Sequence, residues 1–423
     1  MSSEYTEPGQ CGRFSIAARN GLSGARAGVL QTTHFAVETP VFMPVGTQGT
    51  VKGLLPDELM AMGAQVVLGN TYHLWLRPGH ELIARAGGLH TFMGWPRAIL
   101  TDSGGFQILS LAHLGEVDEE GAILRSHLDD TVRTLTPEDA MEIQAALGSD
   151  IAMVLDVCPP YPCPPEQLRD ATERTTRWAH RSLVARHAPD QATFGIVQGG
   201  TDVDLRRESA AALAAMGFDG YGIGGLSVGE PRSETWPALD AAISALPPGS
   251  VRYLMGVGEP DDVLTAIEHG VDMFDCVLPT RLGRNGTAMT PTGRLDLRRT
   301  ALADRPGPLD AACDCPGCTR FSLGYLHHLV RSGEELGLRL VSLHNVRFLI
   351  RLVQEARRAI LDGTFATYRD EALARWHGPD RVAGRENRER WVRERVAREA
   401  TRTVVGPPNE SSTSTSRNRR ARP

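Results

Sequence analysis

Eight short runs of almost purely apolar, β-prone residues recur along the chain. They are PVFMPVG (40–46), QVVLGN (65–70), RAILTD (97–102), DIAMVLD (150–156), TFGIVQ (193–198), GYGIGG (220–225), VRYLMG (251–256) and VDMFD (271–275). Runs this short, with no polar residue at alternate positions, are what a strand buried on both faces requires. Helical grammar separates many of them. In TPEDAMEIQAALG (136–148), Thr136 is placed to cap, Pro137 takes the first helical position and Gly148 stops the helix. TDVDLRRESAAALAAMG (201–217) repeats the pattern, with Gly217 as its stop. Alternating strand and helix eight times predicts an α/β fold of the (β/α)8 TIM-barrel type, with a doubly wound open sheet as the runner-up.

The residues that close the runs favour the barrel. Successive runs end in Asp102, Asp156, Gln198, Gly225, Met255-Gly256 and Asp275. A single Asp after a strand is usually a helix cap or a turn former. Several polar ends in succession instead suggest one polar face, and a barrel gathers its strand C-termini onto the face where active sites lie.

Bulk properties narrow the setting. A chain of 423 residues with 41% hydrophobic content can build a sizeable core. No apolar run is long enough to span a bilayer, and MSSEYTEPGQ at the start has neither a cationic segment nor an apolar one, so a cytoplasmic protein is expected. The net charge of −6 argues against a general nucleic-acid coat protein but leaves room for a local basic patch. Lys52 is the only lysine, so the cations are almost all arginine, the better fork for phosphate.

The seven cysteines are an odd number, and three of them crowd into CDCPGC as Cys313, Cys315 and Cys318. That is poor disulfide arithmetic and good metal arithmetic. With one imidazole, three thiolates complete a closed, structural zinc shell. His344 is the natural fourth ligand, although spacing alone leaves His327 and His328 open; a reactive thiol cluster is the competing reading. The expected organisation is a barrel core with an N-terminal extension over 1–297, a zinc-binding subdomain over 298–345, C-terminal helices completing the barrel over 346–400, with a long helix beginning near His344, and a disordered tail over 401–423. The tail, GPPNESSTSTSRNRRARP, is nearly devoid of apolar residues; its arginines suit a solubilising role better than RNA contact.

Long strings of this chain resemble bacterial tRNA-guanine transglycosylases: TPVFMPVGTQGTVKGL, GNTYHL, TDSGGFQ, FGIVQGG, GIGGLSVGE, YLMGVGEP, DMFDCVLPTR, RNG, and CDCPGC with SLHN. The resemblance runs from about Phe14 to the helix after His344. It implies a TIM barrel carrying one structural zinc ion, usually a homodimer. It also implies exchange of guanine for 7-aminomethyl-7-deazaguanine (preQ1) at the wobble position of tRNAs with a U-G-U anticodon loop.

Carried onto these residues, the resemblance implies Asp275 as nucleophile and Asp102 as general acid/base. Asp102, Ser103, Gly104, Gly105, Phe106, Asp156, Gln198, Gly225 and Met255 would hold the base. Asp156 would read the Watson–Crick edge, Gln198 and the Gly225 N–H the O6 side, and Phe106 and Met255 would sandwich the ring. Outside the resemblance, Phe106 and Met255 read equally well as core. Two stretches match RNA-contacting loops: Gly256, Val257, Gly258, Glu259, Pro260, Asp261 and Asp262, then Thr280, Arg281, Leu282, Gly283 and Arg284. Cys158 and Val228 match the bacterial rather than the eukaryotic, queuine-inserting form. Val157 departs from the pattern: bacterial members usually carry glutamate there, which steadies a backbone amide near the incoming aminomethyl group. Two other classes compete, a catalytically silent zinc-bearing tRNA-binding subunit and a barrel hydrolase of small molecules. The intact Asp102, Asp156 and Asp275 oppose the first; the absence of a barrel His cluster opposes a metal-dependent form of the second.

Overall fold

Each of the eight apolar runs supplies one strand of a single closed barrel. The computed structural model describes residues 11–105, 115–126 and 128–376. Its barrel strands are β1 (Val41–Gly46), β2 (Val66–Asn70), β3 (Ala98–Asp102), β4 (Ile151–Met153), β5 (Ala192–Val197), β6 (Gly220–Ile223), β7 (Val251–Leu254) and β8 (Met273–Cys276). They close in sequence order, with β8 pairing back onto β1, and every pairing is parallel. Burial follows the composition: every residue of β2, β5, β6 and β7 is buried. The open-sheet alternative is excluded by the β8–β1 ladder.

Two strand ends differ from the sequence reading. β4 stops at Met153, so Asp156 lies three residues beyond the strand. β8 continues to Cys276, which puts Asp275 inside the ladder opposite Met43. The helices keep to the predicted grammar. Thr136 and Asp139 form a reciprocal capping box at the start of the Pro137–Leu147 helix, and Gly148 ends it in the left-handed conformation (φ 68°). Asp202 caps the helix Val203–Met216, which stops at Gly217.

A small antiparallel sheet (Phe14–Arg19, Arg26–Gln31, Ala36–Thr39) lies at the N-terminal end of the barrel strands. There Arg26 grips Asp272 through two hydrogen bonds, Nε to Oδ1 at 2.9 Å and a second nitrogen to Oδ2, with both side chains fully buried. At the same end Asp150 accepts from the backbone N–H groups of His34 and Ile99 and from the rings of His34 and His90, which stack at 3.7 Å. These clamps hold the end of the barrel away from the active-site face.

Beyond β8 come a short helix (Leu278–Arg284), a hairpin (Thr287–Thr290 with Gly293–Asp296), the cysteine loop, a helix Leu323–Arg331 and a long helix Glu335–Leu361 that packs on β1. The long helix starts a full two turns before His344. Gly337 hid that start from the sequence reading, because glycine weakens a helix interior. Here it is required: a Cβ at Gly337 would lie 2.6 Å from Cβ of Leu329, where the two helices fold against each other. Among the described residues no helix is long and apolar enough to cross a membrane.

Candidate active site

Two aspartates lie at the C-terminal mouth. Asp102 ends β3, and its carboxylate is held from β2, accepting from Asn70 Nδ2 at 2.5 Å and from the Thr71 N–H at 3.1 Å. Enclosure, helped by the charge of Asp275, pushes its pKa up to about 7 against these two hydrogen bonds. Asp275 in β8 accepts from the Tyr253 hydroxyl at 2.6 Å and from the Gly256 N–H at 2.7 Å, both on Oδ1. Burial raises its pKa as well, and the same two donors oppose the shift. A carboxyl group half protonated at neutral pH beside a second carboxylate is the combination that acid/base-assisted displacement needs.

Next to this pair lies a cluster of polar side chains. Asp156 is buried; Gln198 Nε2 donates to its Oδ2 at 2.7 Å and the Ser103 hydroxyl to its Oδ1 at 3.3 Å. Burial raises its pKa to about 6, so it is mostly anionic at neutral pH. Gly104 takes a left-handed conformation (φ 87°). Gly105 is obligatory, since a Cβ there would sit 2.0 Å from Oδ1 of Asp156. A Cβ at Gly225 would fall 2.4 Å from Oε1 of Gln198, itself a buried acceptor without a hydrogen bond. Met255 reaches over β6, its sulfur 3.2 Å from where a Cβ of Gly222 would stand. The structure thus brings Ser103, Gly105, Asp156, Gln198 and Gly225 together; Phe106 lies outside the described residues.

Cys313, Cys315, Cys318 and His344 are all buried, with their ligating atoms within 4.8 Å of one another. The Sγ atoms of Cys315 and Cys318 stand 3.6 and 3.3 Å from His344 Nδ1. Edges of about 3.5 Å are what one tetrahedral ion with sulfur and nitrogen bonds of roughly 2.3 and 2.0 Å requires. The other ring nitrogen of His344 faces the Met289 carbonyl at 2.8 Å, the outer contact that fixes a ligating imidazole. Among the described residues it is His344, not His327 or His328, whose ring nitrogen lies with the three sulfur atoms.

A sequence profile of the queuine tRNA-ribosyltransferase family matches residues 21–378. The chain belongs to this family. Among bacterial relatives carrying that name, the protein of Pelotomaculum thermopropionicum is 52% identical over 365 residues, covering 86% of this chain and 99% of its own. That of Moorella thermoacetica is 53% identical over 350 residues, covering 83% and 94%. That of Desulforudis audaxviator is 53% identical over 363 residues, covering 85% and 97%.

The stretches resembling the family's RNA-contacting loops lie beside the same mouth. Gly256 is exposed, whereas Val257, Gly258 and Pro260 are buried. Glu259 pairs with Arg294, and Asp261 and Asp262 both pair with Arg232. The second stretch, read as a loop, is helical. Pro279 starts the Leu278–Arg284 helix, and a Cβ at Gly283 would lie 2.5 Å from Cα of Ser342, so the glycine serves close packing on the long helix. Thr280 turns inward onto the Val277 carbonyl, and Leu282 packs against the core. Among the described residues neither Arg281 nor Arg284 is ion-paired, and the charge of Arg281 is felt at Cys276, the neighbour of Asp275.

Four site residues escaped the sequence reading. Asn70 and Tyr253 hold the two aspartates. Arg206, fully buried, donates to the carbonyls of Gly200, Val197 and Gly224 and so fixes the turns after β5 and β6. Glu230 accepts from the N–H groups of Ser227, Val228 and Gly229, holding Ser227 at φ 61°. At the departure from the family pattern, the Val157 N–H donates to the buried Thr175 hydroxyl at 2.9 Å.

Proposed function

We propose that this chain is a tRNA-guanine transglycosylase of queuosine biosynthesis. It exchanges guanine at the anticodon wobble position for preQ1 through two displacements on the ribose. Asp275 attacks C1′ of the ribose as the bond from C1′ to the guanine N9 breaks, forming a glycosyl ester. Asp102 gives its proton to the departing base, then takes the N9 proton of the entering base, whose nitrogen attacks C1′ and frees Asp275. Two inversions leave the new base on the original face.

The other residues recognise and exclude. Asp156 accepts from the ring N–H and amino group of guanine. Gln198 and the Gly225 N–H serve O6, and Met255 and Phe106 flank the ring. A base held in such a slot has left its stack, which selects an unpaired anticodon-loop nucleotide. Gly256–Asp262 and Thr280–Arg284 line the RNA side, with Arg281 and Arg284 holding phosphate or stacking on bases. The Cys3His cluster suits a structural zinc ion: thiolate-rich ligation disfavours hard cations, and four protein ligands leave no open position. The active species is a cytoplasmic homodimer. Val157 cannot steady a backbone amide as the glutamate expected there would; its own N–H is held by the Thr175 hydroxyl.

What carries this reading is the pairing of Asp102, poised near neutrality, with the half-buried Asp275, whose charge it feels at the barrel mouth. Incubating the protein with an anticodon stem-loop RNA and labelled guanine tests it. The wild type incorporates label, and Asp275→Ala abolishes both incorporation and the covalent RNA adduct on a denaturing gel; retention of both removes Asp275 from its role.

A further inference from the structure

We propose that Tyr253 is a positioning residue that selects which oxygen of Asp275 attacks and eases release of the ribose from the ester. The inference rests on Asp275 being the nucleophile. Tyr253 is the third residue of β7, 1% exposed, and its hydroxyl points across the ladder to the neighbouring strand. Its bond to Oδ1 of Asp275 (2.6 Å) is joined by the Gly256 N–H on the same atom (2.7 Å). Oδ1 therefore carries both donors, and among the described residues no other residue's donor occupies Oδ2, so Oδ2 is the atom presented to C1′.

The chemistry of the two states gives these donors a second consequence. As the Oδ2–C1′ bond forms, Oδ1 changes from half of a carboxylate to a neutral ester carbonyl. Hydrogen bonds to an ionised acceptor are roughly twice as strong as those to a neutral one. Tyr253 and Gly256 therefore stabilise the free carboxylate more than the ester. They disfavour accumulation of the covalent adduct and assist the second displacement, in which the carboxylate leaves. Tyr253 itself stays a neutral donor throughout, because burial and the charge of Asp275 raise its pKa well above the usual phenol range. It does not compete with Asp102 for the proton.

The test uses the full-length protein and the stem-loop RNA. In Tyr253→Phe the cavity is kept and one donor is lost. Only the difference between the bond to the carboxylate and the bond to the ester moves this balance, about half the worth of a hydrogen bond to a charged group, so a change of roughly 3- to 12-fold is expected. The adduct fraction at fixed guanine concentration rises by about that factor, kcat for exchange falls, KM for the RNA stays within about 3-fold, and the acidic limb of the pH profile moves upward, since the ionised form of Asp275 has lost a donor. Replacing Tyr253 with 3,5-difluorotyrosine, a stronger donor of similar size, lowers the adduct fraction and keeps the inference testable if the phenylalanine variant folds poorly. An adduct fraction and a pH limb unmoved by either replacement overturn it, leaving Tyr253 as packing. Failure of the nucleophile reading shows up separately, as adduct surviving in Asp275→Ala.

Discussion

Replacing Asp102 by Asn should inactivate the protein, and its stability relative to the wild type should rise with pH. The folded protein holds this carboxyl at about 7 against an ordinary value of 3.8. A raised carboxyl pKa means that between those values the native state binds a proton the unfolded state has lost. Stability therefore falls as pH rises from about 4 to about 7, and is level above. At about 1.4 kcal/mol per pH unit the ceiling is near 4 kcal/mol. Because Asp102 stands at a mouth open to water, about 2–4 kcal/mol is the working range. Asn matches the charge of the protonated acid, but its single oxygen can serve only one of the two donors, since Asn70 Nδ2 meets Oδ2 and the Thr71 N–H meets Oδ1. That fixed cost is the same at every pH, so relative to the wild type Asp102→Asn should gain about 2–4 kcal/mol between pH 4 and pH 8. Urea unfolding of both proteins at pH 4.5, 6 and 8 measures the difference, in which titrations common to both cancel. Asp275 does not cancel fully: without a charge at position 102 its own pKa falls somewhat, which adds to the gain at high pH. A difference that stays constant across these pH values would refute the claim that Asp102 is held protonated near neutrality.

Stripping the metal with a chelator should lower the thermal midpoint well before it lowers exchange per folded molecule, because the Cys3His cluster joins the cysteine loop to the long helix; calorimetry alongside the exchange assay checks the order of loss. Arg281→Ala and Arg284→Ala should each weaken stem-loop binding and reduce the slope of log affinity against log salt by about 1, read from fluorescence anisotropy between low and moderate salt, while incorporation at saturating RNA is retained.

The division between what the sequence disclosed and what it hid follows the range of the interactions. The barrel was legible because its strands are buried on both faces, a condition written into each run without reference to any other. The aspartates at the ends of runs were legible for a related reason: a carboxylate beside an apolar strand is costly unless it is used. Asn70 and Tyr253 were not. Asn70 reads as an ordinary helix cap, and does cap the Thr71–Leu76 helix through its oxygen, while its amide nitrogen holds Asp102. Tyr253 reads as a core aromatic, and only the parallel pairing of β7 with β8 brings its hydroxyl to Asp275. Two glycines show the same limit. Gly283 and Gly337 look like breaks in helical sequence, yet each sits inside a helix where another helix packs too close for a Cβ. A glycine's local preference is visible in sequence, whereas the neighbour that demands it is not. The histidine of the cysteine cluster followed the same logic: spacing admitted three, and the fold brings only His344 to the three thiols. Residues whose chemistry is set by their own segment can thus be assigned from sequence. Those that tune the site act through partners fixed only by strand register, so Tyr253 rather than Asp275 is where a variant's kinetics will depend most on how β7 is aligned with β8.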